Sequence, residues 1–263
     1  MLPVIQGLIA RRVLLNFRAD PEVVQKLLPR PFEAETFQGH ALVGICLIRL
    51  EQIRPRSFPR WLGLASENMA HRVAVRYPSK GNMKSGVFVW RRETGQKLVQ
   101  MFGGRLFPGV HLAARFAVHN NQDGITMDVQ SADGNSDVSF SAKYSNMWRP
   151  RSVFPTLKEA SEFFRQGDCG FSCSLQGNSV EGMQLRTFTW SPVMLEVELR
   201  KCSFYFDTLR FPHGSVEFDC GMMLRGVPHE WHEIVDVPRL ETDAVVGPYA
   251  ATGSSPGNIP DHI

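Results

Sequence analysis

Arg105 follows Gly103 and Gly104, and two glycines let a backbone and a guanidinium come close to a ligand. An arginine facing a cavity needs a carboxylate, from the protein or from a ligand. Arg105 therefore reads either as a ligand anchor or as half of a structural ion pair, with Glu67 as a candidate partner. Glu67 stands at a loop-to-strand junction, where burial can turn a carboxyl group into a general acid or base. Its plainer reading is a structural hydrogen-bonding group. His111 opens a strand, and an imidazole there could move protons at neutral pH or simply mark the strand edge. Trp90 and Phe88 alternate with Val87 and Val89, so one pair can line a cavity while the other packs outward. Trp90 is the candidate ligand contact of the four. His229 and His232 are three apart, which suits one helical turn but puts them on opposite faces of a strand. No helix signal surrounds them, so no metal site is expected. Lys143 lies on the polar face of its strand and reads as solvent-facing. The chain has no Gly-rich phosphate loop and no Gly-x-Ser-x-Gly elbow, which disfavours nucleotide and α/β-hydrolase chemistry.

Composition frames these candidates. The chain has 263 residues, 43% hydrophobic and 21% charged, ordinary values for a globular protein able to bury a core without disulfides or metal. The net charge of +3 hides a preference for Arg (22) over Lys (7). Arginine presents a fixed donor fork to carboxylates and phosphates, whereas lysine suits imine chemistry. Arg49, Arg54, Arg56 and Arg60 interleave with Phe58 and Trp61. Prolines in the same stretch, Pro55 and Pro59, make it a solvated loop beside a barrel mouth rather than a nucleic-acid surface. The five cysteines are odd in number and irregularly spaced, so they read as free thiols. No apolar run reaches the roughly 18–20 residues needed to span a bilayer, and the start lacks a cationic leader. A cytoplasmic place, no membrane and no nucleic-acid partner are the expectations. An oligomer of identical chains is compatible with the sequence.

Mostly strands must position the candidates. Alternation predicts strands at about 8–17, 41–50, 70–77, 86–93, 111–119, 125–130, 138–144, 170–175, 183–190, 196–206 and 216–224, with a further one near 232–237. Asp20-Pro21-Glu22 starts a short helix, and Thr156-Leu157-Lys158-Glu159 caps a second over 157–166 with Gly167 behind it. Residues 94–102 read as a third short helix. Residues 1–240 make one domain. The Gly, Ser, Pro and Asn-rich end, 241–263, reads as a flexible tail.

Three segments carry a family resemblance. Arg11-Arg12-Val13-Leu14-Leu15-Asn16-Phe17-Arg18-Ala19-Asp20-Pro21 runs into Leu27-Leu28-Pro29-Arg30-Pro31-Phe32-Glu33. Glu67 and its strand precede a Gly86-Val87-Phe88-Val89 strand, and Gly104-Arg105 is followed by Phe107-Pro108. Their order over about residues 8–237 resembles the acetoacetate-decarboxylase-like superfamily, in an uncharacterised bacterial branch called a conserved domain of unknown function. The resemblance implies a β-rich α+β fold: a double-layered, cone-like antiparallel β-barrel with two or three short helices and an apolar cavity. In the decarboxylases a buried lysine attacks the ketone of a β-keto acid, helped by a second lysine. Those positions fall here on Gly109 and Val110, which cannot form an imine. The family's arginine on the entering strand matches Arg11 or Arg12, and a family glutamate matches Glu67. His111, just past the missing lysines, could take over proton transfer.

The expected function is therefore binding of a small organic acid or apolar metabolite, held by Arg105, Arg11 or Arg12 and Trp90, without Schiff-base decarboxylation and without a cofactor. The alternative is a lysine-independent acid–base enzyme of the dehydratase, aldolase or cyclase type, using Glu67 and His111. A filled core would instead mean a structural module.

Overall fold

The structure, a computed structural model, describes residues 3–96 and 109–241. Five long strands form its backbone: β1 (Ile5–Ala19), β4 (His40–Pro55), β5 (Leu64–Ser79), β6 (Asn82–Thr94) and β13 (Val216–Glu233). The shorter strands are β2 (Glu33–Ala34), β3 (Thr36–Phe37), β7 (His111–Asn120), β8 (Gly124–Ser131) and β9 (Val138–Ser145). After them come β10 (Cys169–Cys173), β11 (Val180–Thr187) and β12 (Val193–Cys202). All thirteen belong to one hydrogen-bonded sheet.

Two forks close that sheet on itself. β6 pairs with β5 along one edge, and on the other with β10 at Val87–Phe88 and with β7 at Arg92–Thr94. β13 pairs with β1 along one edge, and on the other with β12 and β11 at separate positions. Two circuits result, sharing the wall β6-β5-β4-β1-β13. One is completed by β10 and β11, the other by β7, β8, β9 and β12. The strand-rich, ring-closed sheet is the fold class expected from the sequence.

Side chains alternate across the shared wall, so its two faces feed two cores. Val13, Leu15, Phe17, Val43, Ile45 and Val73 pack with Met127, Phe140 and Tyr205 in the β7–β9 circuit. Leu14, Leu42, Cys46, Ala74 and Met222 pack on the opposite face against Phe154, Ala160 and Phe164. Phe17 is fully buried and stacks on Tyr205 at 4.7 Å. Truncating it to Ala would cost about 3–5 kcal/mol.

Two helices occur among the described residues, α1 (Pro21–Lys26) and α2 (Leu157–Gln166). Asp20 accepts bonds from the backbone N–H of Glu22 and Val23, and Thr156 Oγ1 accepts from Glu159 N–H, as their spacing predicts. Gly167 follows α2 for a different reason than a left-handed cap: its φ is −78°. A Cβ there would lie 2.7 Å from Val87 Cγ2, so glycine permits close approach to β6.

Several boundaries differ from the sequence reading. β4 and β5 extend to Pro55 and from Leu64, leaving only a short connection with a 3₁₀ turn at Arg60–Leu62. A register shift between Leu50 and Ile53, with Gln52 at φ 55°, breaks the alternation that would have revealed the extension. Thr94 belongs to β6, paired with Asn68 and Ala113, so the third helix does not begin there. The rest of that expected helix, through Phe102, lies outside the described residues. His232 and Glu233 end β13 instead of opening a separate strand. Beyond Glu241 the expected tail is likewise outside the described residues.

Candidate functional site

The circuit completed by β10 and β11 holds a cavity of about 490 Å³. Ile48, Leu50, Val87, Val89, Met183 and Leu185 make much of its wall, and Phe58, Leu62 and Leu64 stand at the exposed end. A volume of this order suits a small organic molecule.

Polar groups enter where the wall strands carry small residues. Cys46 on β4 pairs across to Ala70 on β5, and Ala70 pairs across to Arg92 on β6. Arg72 follows Ala70 by two residues and lines the cavity with it. Arg12 reaches in from β1 and donates from Nε to Cys46 Sγ at 3.3 Å. Cys46 and Ala70 are the small residues in this part of the lining.

Neutral groups hold these arginines. Arg72 is 4% exposed; its Nη2 donates to Asn16 Oδ1 at 2.6 Å, and its guanidinium lies 4.9 Å from the Phe164 ring. Its Nε has no hydrogen-bond acceptor. Arg92 donates to Ser172 Oγ from Nη2 at 2.9 Å and from Nε at 3.3 Å. Arg12 sits 5.7 Å from the Trp190 ring. No Asp or Glu among the described residues lies within ion-pairing distance of any of the three. Burial pulls the pKa of both Arg72 and Arg92 down to about 10. The acids that border the cavity bond elsewhere: Asp168 accepts from Gln184 at 2.8 Å, and Glu93 accepts from Arg91 and Ser136.

The candidates read from the sequence divide between the two faces of the wall. Arg11 and Arg12 are neighbours on a strand and point to opposite sides. Arg12 borders the cavity. Arg11 donates to Glu67 Oε2 at 2.7 Å, and both border a second recess with Arg49, Glu51 and Arg225. Burial raises the Glu67 carboxyl above its ordinary pKa against the opposing pull of Arg11. Glu67 thus pairs with Arg11, away from the larger cavity. Trp90 also stands outside it: its ring packs on Phe204 and its Nε1 donates to the Leu27 carbonyl at 3.1 Å. Val87 and Val89 take the cavity side instead. His111 does border the cavity, opposite Arg92 across the parallel β6–β7 pair. Arg105, with Gly103, Gly104, Phe107 and Pro108, lies outside the described residues.

Gly109, where the resemblance places a lysine, has φ 78°, and a Cβ there would stand 2.8 Å from Ser172 Cβ. Its N–H donates to Glu181 Oε2 at 2.8 Å. No lysine is among the described residues that line the cavity, and Lys143 is solvent-exposed on β9. The described residues hold no group of three or more His, Cys, Asp and Glu placed to bind a metal. His229 is buried, while His232 faces Glu230 at 2.9 Å. All five cysteines are free.

Sequence reasoning missed Arg72, Arg92 and Cys46. In sequence, Arg72 alternates with Val73 and Val75, the pattern of the polar side of a half-buried strand. Arg92 was hidden by a bulge: His71 pairs Arg91 and Arg72 pairs Val89, leaving Trp90 as the extra residue. The bulge puts Val89 and Arg92, three apart, on one face.

Solved structures with this fold are acetoacetate-decarboxylase-like. The acetoacetate decarboxylase of Legionella pneumophila superposes with a TM-score of 0.59 at 13% identity, covering 91% of this chain and 88% of that one. An acetoacetate decarboxylase-like enzyme from Sphingomonas wittichii gives 0.54 at 12% identity, covering 92% and 94%. The enduracididine biosynthesis enzyme MppR, complexed with pyruvate, gives 0.53 at 8% identity, covering 88% of each chain. These likenesses establish the fold. No curated protein sequence matches the chain. The model of the family DUF2071, an uncharacterized conserved protein, matches residues 9–168, and the chain belongs to that family.

Proposed function

We propose that the chain binds a small organic acid in the larger cavity and performs no Schiff-base decarboxylation. The observation that carries this reading is the set of arginines lining a mostly apolar cavity, Arg12, Arg72 and Arg92, held by neutral side chains, with Arg54 held by backbone carbonyls. Burying a guanidinium without a counter-ion costs several kcal/mol unless an anion arrives to share its hydrogen bonds. An arginine that is positioned but not neutralised is prepared for such a ligand. The resemblance to MppR, which was solved with pyruvate, supports a carboxylate ligand on this fold. A cytoplasmic place belongs to the same reading. The test is calorimetric titration with short carboxylic acids and their amides. Saturable binding of acids but not amides supports it. Equal binding of amides refutes it.

One observation favours a second reading, acid–base catalysis on the bound acid. His111 borders the cavity beside Arg92, its register partner on the neighbouring strand. In that reading the arginines hold the carboxylate and His111 moves a proton at the adjacent carbon. Turnover in a library of keto and hydroxy acids that vanishes in His111→Ala while binding persists would select it. Turnover retained in His111→Ala would reject it.

A further inference from the structure

Resting on the organic-acid reading, the charge balance of the cavity says more about the ligand. We infer that it carries a doubly negative head at the arginine end and an apolar tail directed to the mouth.

Three features require this. First, the arginines arise close together on the wall. Cys46, Ala70 and Arg92 form one transverse row of the wall, Arg72 is the next same-face residue along β5, and Arg12 bonds to Cys46. With strands about 4.8 Å apart and same-face residues about 6.7 Å apart, the three residues start within side-chain reach of one head group. Second, no carboxylate among the described residues pairs directly with them, and Glu181 acts on Arg92 only through space. The partners are an amide oxygen on Asn16, a hydroxyl on Ser172, a thiol on Cys46 and two aromatic rings. A single carboxylate would leave most of this charge without a counter-ion in a low-dielectric site. Third, the lining away from these arginines is mostly apolar. It passes to Leu50, Ile53, Phe58, Leu62 and Leu64, and the one arginine there, Arg54, is bonded to the carbonyls of Gln52 and Phe58.

A geminal or vicinal dicarboxylate and a phosphate monoester share this chemistry. Titration with four probes of similar tail at about pH 8, where a phosphate monoester is a dianion, separates them: butylmalonate, hexyl phosphate, hexanoate and hexan-1-ol. At least one dianion should bind about tenfold or more tighter than hexanoate. Butylmalonate as the tighter dianion identifies a dicarboxylate site, and hexyl phosphate a phosphate-ester site. Arg72→Met and Arg92→Met should each reduce dianion affinity by more than tenfold while weakening hexanoate only a few-fold. Arg92→Lys, which keeps the charge and loses the fork, serves if a methionine variant does not fold. Hexanoate binding as tightly as both dianions overturns this inference and leaves the organic-acid reading standing. Hexan-1-ol binding as tightly as the acids, or saturable binding by none of the four, overturns both.

Discussion

Replacing Arg72 with Met tests the central argument through stability alone, without any ligand. Burial holds the Arg72 pKa at about 10 against an ordinary 12.5. At about 1.36 kcal/mol per unit, keeping the charge inside the empty fold costs about 3 kcal/mol. The sign follows from linkage. A cation with a depressed pKa binds its proton more weakly in the native state, so the penalty is fully present at neutral pH. It fades only as pH rises from about 10 towards the unfolded value. Methionine fills much of the same volume and removes the penalty. The change orphans Asn16 Oδ1, which is buried and accepts from Arg72 at 2.6 Å, at a cost of about 1–2 kcal/mol. Asn16 Nδ2 keeps its contact with Cys220 Sγ at 3.6 Å. The expected net is a stabilisation of about 1–2 kcal/mol in urea unfolding near neutral pH. If Arg72 were one half of a buried ion pair, its removal would instead cost about 3–5 kcal/mol. Destabilisation beyond about 2 kcal/mol would show that the guanidinium is neutralised inside the fold, and the argument for an anionic ligand would fail.

Other expectations follow from the same geometry. Arg11→Met should destabilise the protein by about 2 kcal/mol, because Glu67 loses its partner at 2.7 Å and keeps only Arg49 at 4.0 Å, and Arg11→Met with Glu67→Leu should recover most of it; additive losses in chemical denaturation would show that the two do not act as a pair. Burial, helped by nearby Arg12, lowers the His229 pKa to about 4, so the native state resists a proton that the unfolded chain accepts. Stability should fall as pH drops from about 6.5 to 4, and His229→Gln should flatten that fall by about 3 kcal/mol in a denaturation series against pH. A slope unchanged by the substitution would assign the titration elsewhere. Borohydride with pyruvate or acetoacetate should leave the mass of the protein unchanged. Gly109→Lys should gain no adduct either, because φ 78° and the close Ser172 disfavour a side chain there; a reduced adduct at the introduced amine would show that the cavity still accepts imine chemistry.

Much of the architecture was legible from local pattern. The β7, β8 and β9 strands follow from period-two alternation between Asn, Asp and Gly turns. Both helix starts follow from a side-chain oxygen before the first turn. The order of short motifs from Arg11 to Pro108 resembled the superfamily whose fold the structure shows. Such features depend on neighbours in sequence, so the sequence states them directly. That Gly109 and Val110, not lysines, follow Phe107-Pro108 was legible for the same reason.

The site was less so, because it depends on which face each side chain takes in a closed sheet. Arg11 and Arg12 could not be told apart by type; the wall sends one to Glu67 and the other to Cys46. Trp90 had the right chemistry for a ligand contact, but it packs on Phe204 while the valines beside it line the cavity. Arg92 enters only because one bulge in β6 shifts the alternation by a residue. What the sequence determined by itself was the set of strands, their caps and the absence of a lysine after Phe107-Pro108. Only the tertiary structure decided which arginines share an interior, since β1, β5 and β6 meet around one cavity through a register that no single strand encodes.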